Sequence, residues 1–377
     1  MSSVMTQLNQ REPICLFLCG DVMTGRGIDQ VLPHPVDPVL YEPYVLDARE
    51  YVELAESAHG PIPRPVHFGY IWGDALQELE RAGTDARIIN LETSITSAVE
   101  AWPKGINYRM NPANIGCLTA ARIDCCCLAN NHILDWGYPG LEETIVTLEE
   151  AHIRHIGAGR TAKEAAAPVV VDLDMRGRLL ACAVGSPTSG IPVDWAASAN
   201  GPGLNLIEIL SEETAHRVAG EIQKNKQPGD IALVSIHWGG NWGYEVPEVE
   251  TEFAHRLIRN GVDVVHGHSS HHPKAIEVYK DRLILYGCGD FLTDYEGIIG
   301  HEEFRGDLSV MYLAKLEPLS GRLLELKMIA LQSNRFRLKR ASTSDVSWLK
   351  HLLNNISAAF GTRVELEQDE SLKLHWH

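Results

Sequence analysis

The sequence predicts an α/β protein, and three observations carry that prediction. Short runs dense in Val, Ile, Leu and Cys, such as Ile14–Cys19 and Ile231–Ile236, are apolar at every position but Ser235, as strands buried on both faces tend to be. They alternate with segments whose apolar residues recur at helical spacing, for example Ile71, Ala75, Leu76, Leu79 and Ala82. Each run breaks sharply into a loop rich in Gly, Asp, Asn or His, and in open α/β sheets the ligand crevice lies beyond the carboxyl ends of the strands.

Taken in order, the first strand, Ile14–Cys19, breaks at Gly20-Asp21-Val22-Met23-Thr24-Gly25-Arg26-Gly27. A strand feeding a Gly-rich loop could hold a dinucleotide, but GxGxxG is absent and Asp21 stands where a phosphate would be repelled; the turn suits a cation better. Between residues 33 and 70, prolines interrupt one helix expected over Tyr44–Ser57, which reads as an insertion bordering the site. A helix at Ile71–Ala82 leads to the strand Ala86–Asn90, followed directly by Glu92. Pro112–Ala121 is expected to be helical, and the strand Asp124–Ala129 ends in Asn130-Asn131-His132. Helix Pro139–His152, a short strand at His155–Gly157 and a helix from Thr161 continue the alternation, and Val169–Leu173 with Leu179–Val184 form a hairpin. Ala215, Val218, Ala219 and Ile222 mark another helix, and the strand Ile231–Ile236 ends in His237-Trp238. Helix Glu248–Asn260 hands over to a strand at Val262, after which a polar loop carries His266, His268, His271 and His272. A second hairpin (Ala275–Tyr279, Leu283–Tyr286), strands at Leu308–Leu316 and Leu324–Leu331 and a helix at Asp345–Phe360 complete the chain. One domain over residues 14–340, carrying the 33–70 insertion, with a helix and tail at 341–377, is expected.

Composition excludes several classes. The 377 residues are 45% hydrophobic and 22% charged, ordinary for a globular protein. Lys+Arg 33 against Asp+Glu 50 gives a net charge of −17, which repels nucleic acid and anionic membranes. The apolar run at Ile14 is too short to span a bilayer, and the residues before it lack the basic-then-apolar order of a secretion signal, so a cytoplasmic protein without membrane insertion is expected. The eight cysteines include the run Cys125-Cys126-Cys127 but no CxxC pair, and are expected to be buried thiols.

Four imidazoles in seven residues, at the end of a β-branched run, point to a metal. A Gly before His268 and a three-residue step to His271 let two rings converge from a tight turn, as borderline divalent metals require. Asp21, Glu92, Asn131 with His132, and His237 also follow strands directly, so residues spanning 250 positions can meet at one sheet edge. Two carboxylates, an amide oxygen and three imidazoles suit zinc, manganese or iron, and such a set can serve two ions about 3.5–4 Å apart.

The stretches GDVMTGR, NLETSIT, LANNHILDWG, SIHWG and GHSSHH, in this order, resemble the CapA family of capsule and poly-γ-glutamate synthesis, within the calcineurin-like metallophosphoesterase superfamily. The resemblance covers roughly Ile14–Leu331 and implies a four-layer α/β/β/α sandwich of mixed sheets with two divalent ions at its strand ends. It implies Asp21, Glu92, Asn131, His237, His268 and His271 as ligands, Glu92 bridging, and His132 as an acid beside them. The chain departs from the superfamily pattern at Met23, where a histidine is usual, at NLE in place of GDxxD, at the wider spacing of His268 and His271, and at Asp290 in place of an asparagine. These departures retain a metal-binding set while weakening the expectation of ordinary phosphoesterase activity.

Three functions are compatible with these residues. The first is a hydrolase of an amide (γ-glutamyl or peptide) or of a phosphate ester, in which a divalent ion lowers the pKa of water from 15.7 towards about 7. His132 would then protonate the leaving group, and Arg26, with Trp238 and Asp290 beside it, would hold a peptide or small anionic substrate. The second, which the resemblance also permits, is epimerisation of a ribosomal, lasso-type peptide, with Asp21 and His301 as the acid–base pair. The third is a non-catalytic polymer-binding protein of capsule assembly.

Overall fold

The computed structural model describes residues 12–377; the reading of the first eleven residues lies outside them. Two mixed sheets form its centre. The first contains β1 (Ile14–Val22), β2 (Ala86–Leu91), β3 (Cys125–Cys127) and β4 (Arg154–Ile156), all parallel. The second contains β5 (Val169–Asp172), β6 (Arg178–Gly185), β7 (Ile231–His237), β8 (Val264–His268), β9 (Ile276–Tyr279) and β10 (Arg282–Leu285) in the order β9-β10-β8-β7-β6-β5. Returning to the first sheet, β11 (Asp290–Leu292) pairs parallel with β1, while β12 (Leu308–Leu316), β13 (Leu323–Ser333) and β14 (Leu338–Arg340) add antiparallel strands. The C-terminal tail extends this sheet with β15 (Thr362–Leu366) and β16 (Leu372–Trp376), the latter pairing with β13.

The helices are α1 (Arg26–Val31), α2 (Arg49–His59), α3 (Ala75–Ala82), α4 (Gly137–Glu150), α5 (Glu212–Gln223), α6 (Glu248–Arg259) and α7 (Thr343–Ser357), with shorter turns between them. The expected helix at Tyr44–Ser57 begins later, at Arg49, and the one at Pro112–Ala121 is divided into a 3₁₀ turn and the short helix Gly116–Ala120.

Strand periodicity places the layers. Leu179, Ala181, Ala183, Ile231, Leu233 and Val264 share one core with β1, β2, α3 and α4, whereas Leu180, Cys182, Val184, Ala232, Val234 and Val265 share a second core with α5 and α6. Successive residues of a strand face opposite sides, so the second sheet is packed on both faces, and the four layers run α/β/β/α. The same parity turns Ser235, His237, His266 and His268 towards the first sheet, and the parallel ladder sets Ser235 beside His266 and His237 beside His268. His266 and His268 therefore belong to a buried strand, not to the loop expected from the sequence.

The eight cysteines are all buried and none forms a disulfide among the described residues. No helix among them is long and apolar enough to cross a membrane. β1 passes very close to the segment before β11: a Cβ at Gly20 would lie 1.6 Å from the Gly289 carbonyl oxygen, which accepts a hydrogen bond from Asp21 N. Gly20→Ala is expected to cost about 1–3 kcal/mol or more by overpacking and to displace Asp290, read as a lower denaturation midpoint.

Candidate metal centre

Three neighbouring strands bring the first carboxylates together, since Asp21 is in register with Asn90 of β2 and with Asp290 of β11. Asn90 Nδ2 donates to Asp21 Oδ1 at 2.8 Å and to Glu92 Oε2 at 3.0 Å, which fixes the two acids beside each other. Burial raises the pKa of both, and for Glu92 the nearby Asp21 charge raises it further.

The second sheet supplies the imidazoles. His268 Nδ1 lies 2.8 Å from His237 Nδ1 and 4.0 Å from Asp21 Oδ1, and one group able to hold an ion is Asp21, His237 and His268. Just past β8, Ser269 takes a φ of 109°, uncommon for a residue with a Cβ, and the chain turns so that His271 reaches Asp290. His271 Nδ1 is 2.9 Å from Asp290 Oδ1; burial lowers the His271 pKa, but the Asp290 carboxylate outweighs it and the net shift is upward. Asp21, His271 and Asp290 form a second convergent group, so Asp21 is common to both.

A cation fits this arrangement. Asp21 Oδ2 and Asp290 Oδ2 are buried without a hydrogen-bond partner among the described residues, a costly state for acceptors that an ion would relieve. The donors are carboxylate and imidazole, as zinc, manganese or iron prefer.

Beside the carboxylates, His132 presents Nε2 to Glu92 Oε1 at 3.9 Å and holds Asp135 Oδ2 through Nδ1 at 2.6 Å. Burial draws its pKa down to about 4, against the opposing pull of Asp135. Lys104 Nζ donates to Asp135 Oδ1 at 2.6 Å and to the Asn131 carbonyl, and lies 3.2 Å from His132 Nδ1. The Tyr108 ring stacks on His132 at 3.8 Å, and its hydroxyl meets that of Tyr295 at 2.7 Å.

Several expected site residues lie elsewhere or act otherwise. Asn131, the expected amide ligand, keeps its Oδ1 beside the imidazoles, 3.0 Å from His237 Nε2. Arg26 is not free to hold an anion: it is buried, with Nη2 2.5 Å from Asp294 Oδ1 and Nη1 2.9 Å from Glu42 Oε1, under the ring of Tyr51. Trp238 points into the second core, where its Nε1 donates to the Tyr286 carbonyl, so it does not meet substrate at the strand ends. Asp290, expected on the substrate side, joins His271 and Asp21. His301 is exposed and stacks on Trp242 at 4.1 Å, and Trp242 in turn stands 5.2 Å from the His271 ring. Lys104, Asp135, Tyr108 and Tyr295 escaped the sequence reading; only Asp135, three residues after His132, had a local signal.

A sandwich of two mixed sheets whose strand ends gather buried Asp and His residues defines the class, an α/β protein with a candidate metal centre. The family model described as "Bacterial capsule synthesis protein PGA_cap" matches residues 15–295, and the chain belongs to that family. It is 48% identical over 363 residues, 96% of each chain, to the "Probable polyglutamine synthesis accessory protein" of Mycobacterium tuberculosis (strain H37Rv). It is 20% identical over 285 residues, 76% of this chain and 61% of the other, to the "Capsule biosynthesis protein CapA" of Bacillus anthracis. Among solved structures, the 5'-nucleotidase precursor from Thermus thermophilus aligns with a TM-score of 0.45 and 14% identity over 89% of this chain and 58% of that one.

Proposed function

We propose that the chain is a metal-dependent hydrolase of poly-γ-glutamate-type metabolism, acting on an amide, γ-glutamyl or peptide, or on a phosphate ester. The observation that carries this reading is the pair of convergent groups sharing Asp21, with two buried carboxylate oxygens left without partners. Asp21, His237 and His268 would hold one divalent ion, and Asp21, His271 and Asp290 another, with Glu92 hydrogen-bonded alongside. A bound divalent ion supplies Lewis acidity and an acidified water. His132 handles the proton: Nδ1 is committed to Asp135, so Nε2, on the Glu92 side, is the atom that gives or takes it. Lys104 holds Asp135 and the Asn131 backbone, which keeps the His132 ring in place. The similarity to a polyglutamine synthesis accessory protein supports an amide-linked substrate and a synthetic partner.

Epimerisation by Asp21 and His301 would need both groups at one Cα. The His301 ring is exposed and stacked on Trp242, with no contact to Asp21 or the other strand-end acids, which favours hydrolysis. The test is a panel of γ-glutamyl peptides and phosphate esters in deuterated water, with metal content measured on protein purified without chelator. Two ions per chain and cleavage without Cα deuteration are expected. Cα exchange without cleavage would establish the epimerase, and less than one ion with no turnover, unrescued by manganese or zinc, the polymer-binding protein.

A further inference from the structure

A chain of hydrogen bonds runs behind the imidazoles, on the side away from the carboxylates, and its polarity can be worked out from one end. The β1–β2 ladder slips between Leu18 and Asp21, and Cys19 is paired in neither neighbouring ladder of β1. Its carbonyl oxygen instead crosses to the other sheet, where His266 Nε2 lies 2.7 Å away. A carbonyl only accepts, so the His266 proton is on Nε2. His266 is fully buried with no carboxylate at hydrogen-bond distance, which holds the ring neutral and leaves Nδ1 a bare acceptor. Ser235 Oγ is 3.2 Å from that Nδ1 and 2.7 Å from His268 Nε2. A hydroxyl has a single proton, and giving it to His266 leaves its oxygen to accept from His268 Nε2–H.

We infer that Ser235 and His266 are positioning residues that set the tautomer of His268, so that its Nδ1 lone pair is the atom presented to Asp21 and His237. The geometry agrees, because Nδ1 is the His268 atom that faces Asp21. The relay also spans the two sheets, tying the backbone that carries Asp21 to the strand that carries His268. A partner on the far ring nitrogen of a ligating histidine fixes its orientation and strengthens it as a donor, and losing such a partner typically weakens metal affinity about 10–100-fold. The inference rests on the metal-binding reading above for its consequence, but not for the tautomer itself.

The two parts are tested separately. Long-range proton–nitrogen NMR on chelator-treated, histidine-labelled protein, with His268 assigned by the loss of its signals in His268→Gln, reads which ring nitrogen is protonated. The expected result is a proton on Nε2 of both His266 and His268. Manganese titration should then show about 10–100-fold weaker binding in Ser235→Ala and His266→Leu. His266→Gln, which keeps a donor for Cys19 and an acceptor for Ser235, should restore it. A His268 proton on Nδ1 in the wild type would overturn the inference, and the spectrum decides this even if the variants fail to fold. Wild-type affinity in Ser235→Ala with an unchanged His268 tautomer would overturn it equally. Failure of the wild type to bind manganese would instead count against the metal centre, leaving the spectrum to judge the relay.

Discussion

Alanine at His268 is expected to remove bound metal, whereas alanine at His132 is expected to leave metal content nearly intact and lower turnover by about 10²–10⁴. The two rings differ in what surrounds them. His268 Nδ1 faces His237 and Asp21, so its loss breaks a convergent group. His132 spends Nδ1 on Asp135 and keeps Nε2 3.9 Å from the nearest Glu92 oxygen, near the acids but in neither group. Elemental analysis of both variants beside wild type, with turnover on a cleaved γ-glutamyl peptide or phosphate ester, separates the roles. Equal metal loss in the two would make His132 a ligand.

The second large effect is expected on stability. Arg26→Met should cost about 3–5 kcal/mol, because removing one partner of a buried charge pair strands the other. Here two acids are stranded: Asp294, which accepts from Arg26 Nε and Nη2 and from Gly27 N, and Glu42 of the insertion. Arg26→Lys should recover only part of the loss, since an ammonium cannot make the forked contact with Asp294. Denaturant unfolding monitored by circular dichroism checks the expectation. A variant with unchanged midpoint but a raised KM would return Arg26 to the anion-holding role expected from the sequence.

Much of the fold was legible because its signals are local. β1, β2, β7 and β8 contain apolar runs that give way to polar residues, and Asp21, Glu92, His237 and His268 could be found at or just past those breaks without knowing what they meet. β11 was not legible: Asp290–Leu292 is three residues long, and it is a strand only because β1 lies beside it. With β11 missed, Asp290 was taken for a substrate contact. Trp238 was misread for a related reason. It follows His237 directly, but one residue along a strand reverses the facing, so its side chain lies in the other core.

What the sequence determined by itself is the α/β class, the family and the set of polar residues at the strand ends, since apolar runs and their breaks depend on neighbours along the chain. Only the tertiary structure decided which charges are already neutralised and which ring nitrogens face inward. Asp294 reaches Arg26 from 268 positions away and the Cys19 carbonyl reaches His266 from 247. The chemistry of a buried arginine or histidine is set by the atoms at hydrogen-bond distance from it, and those are chosen by packing between sheets, not by spacing along the chain.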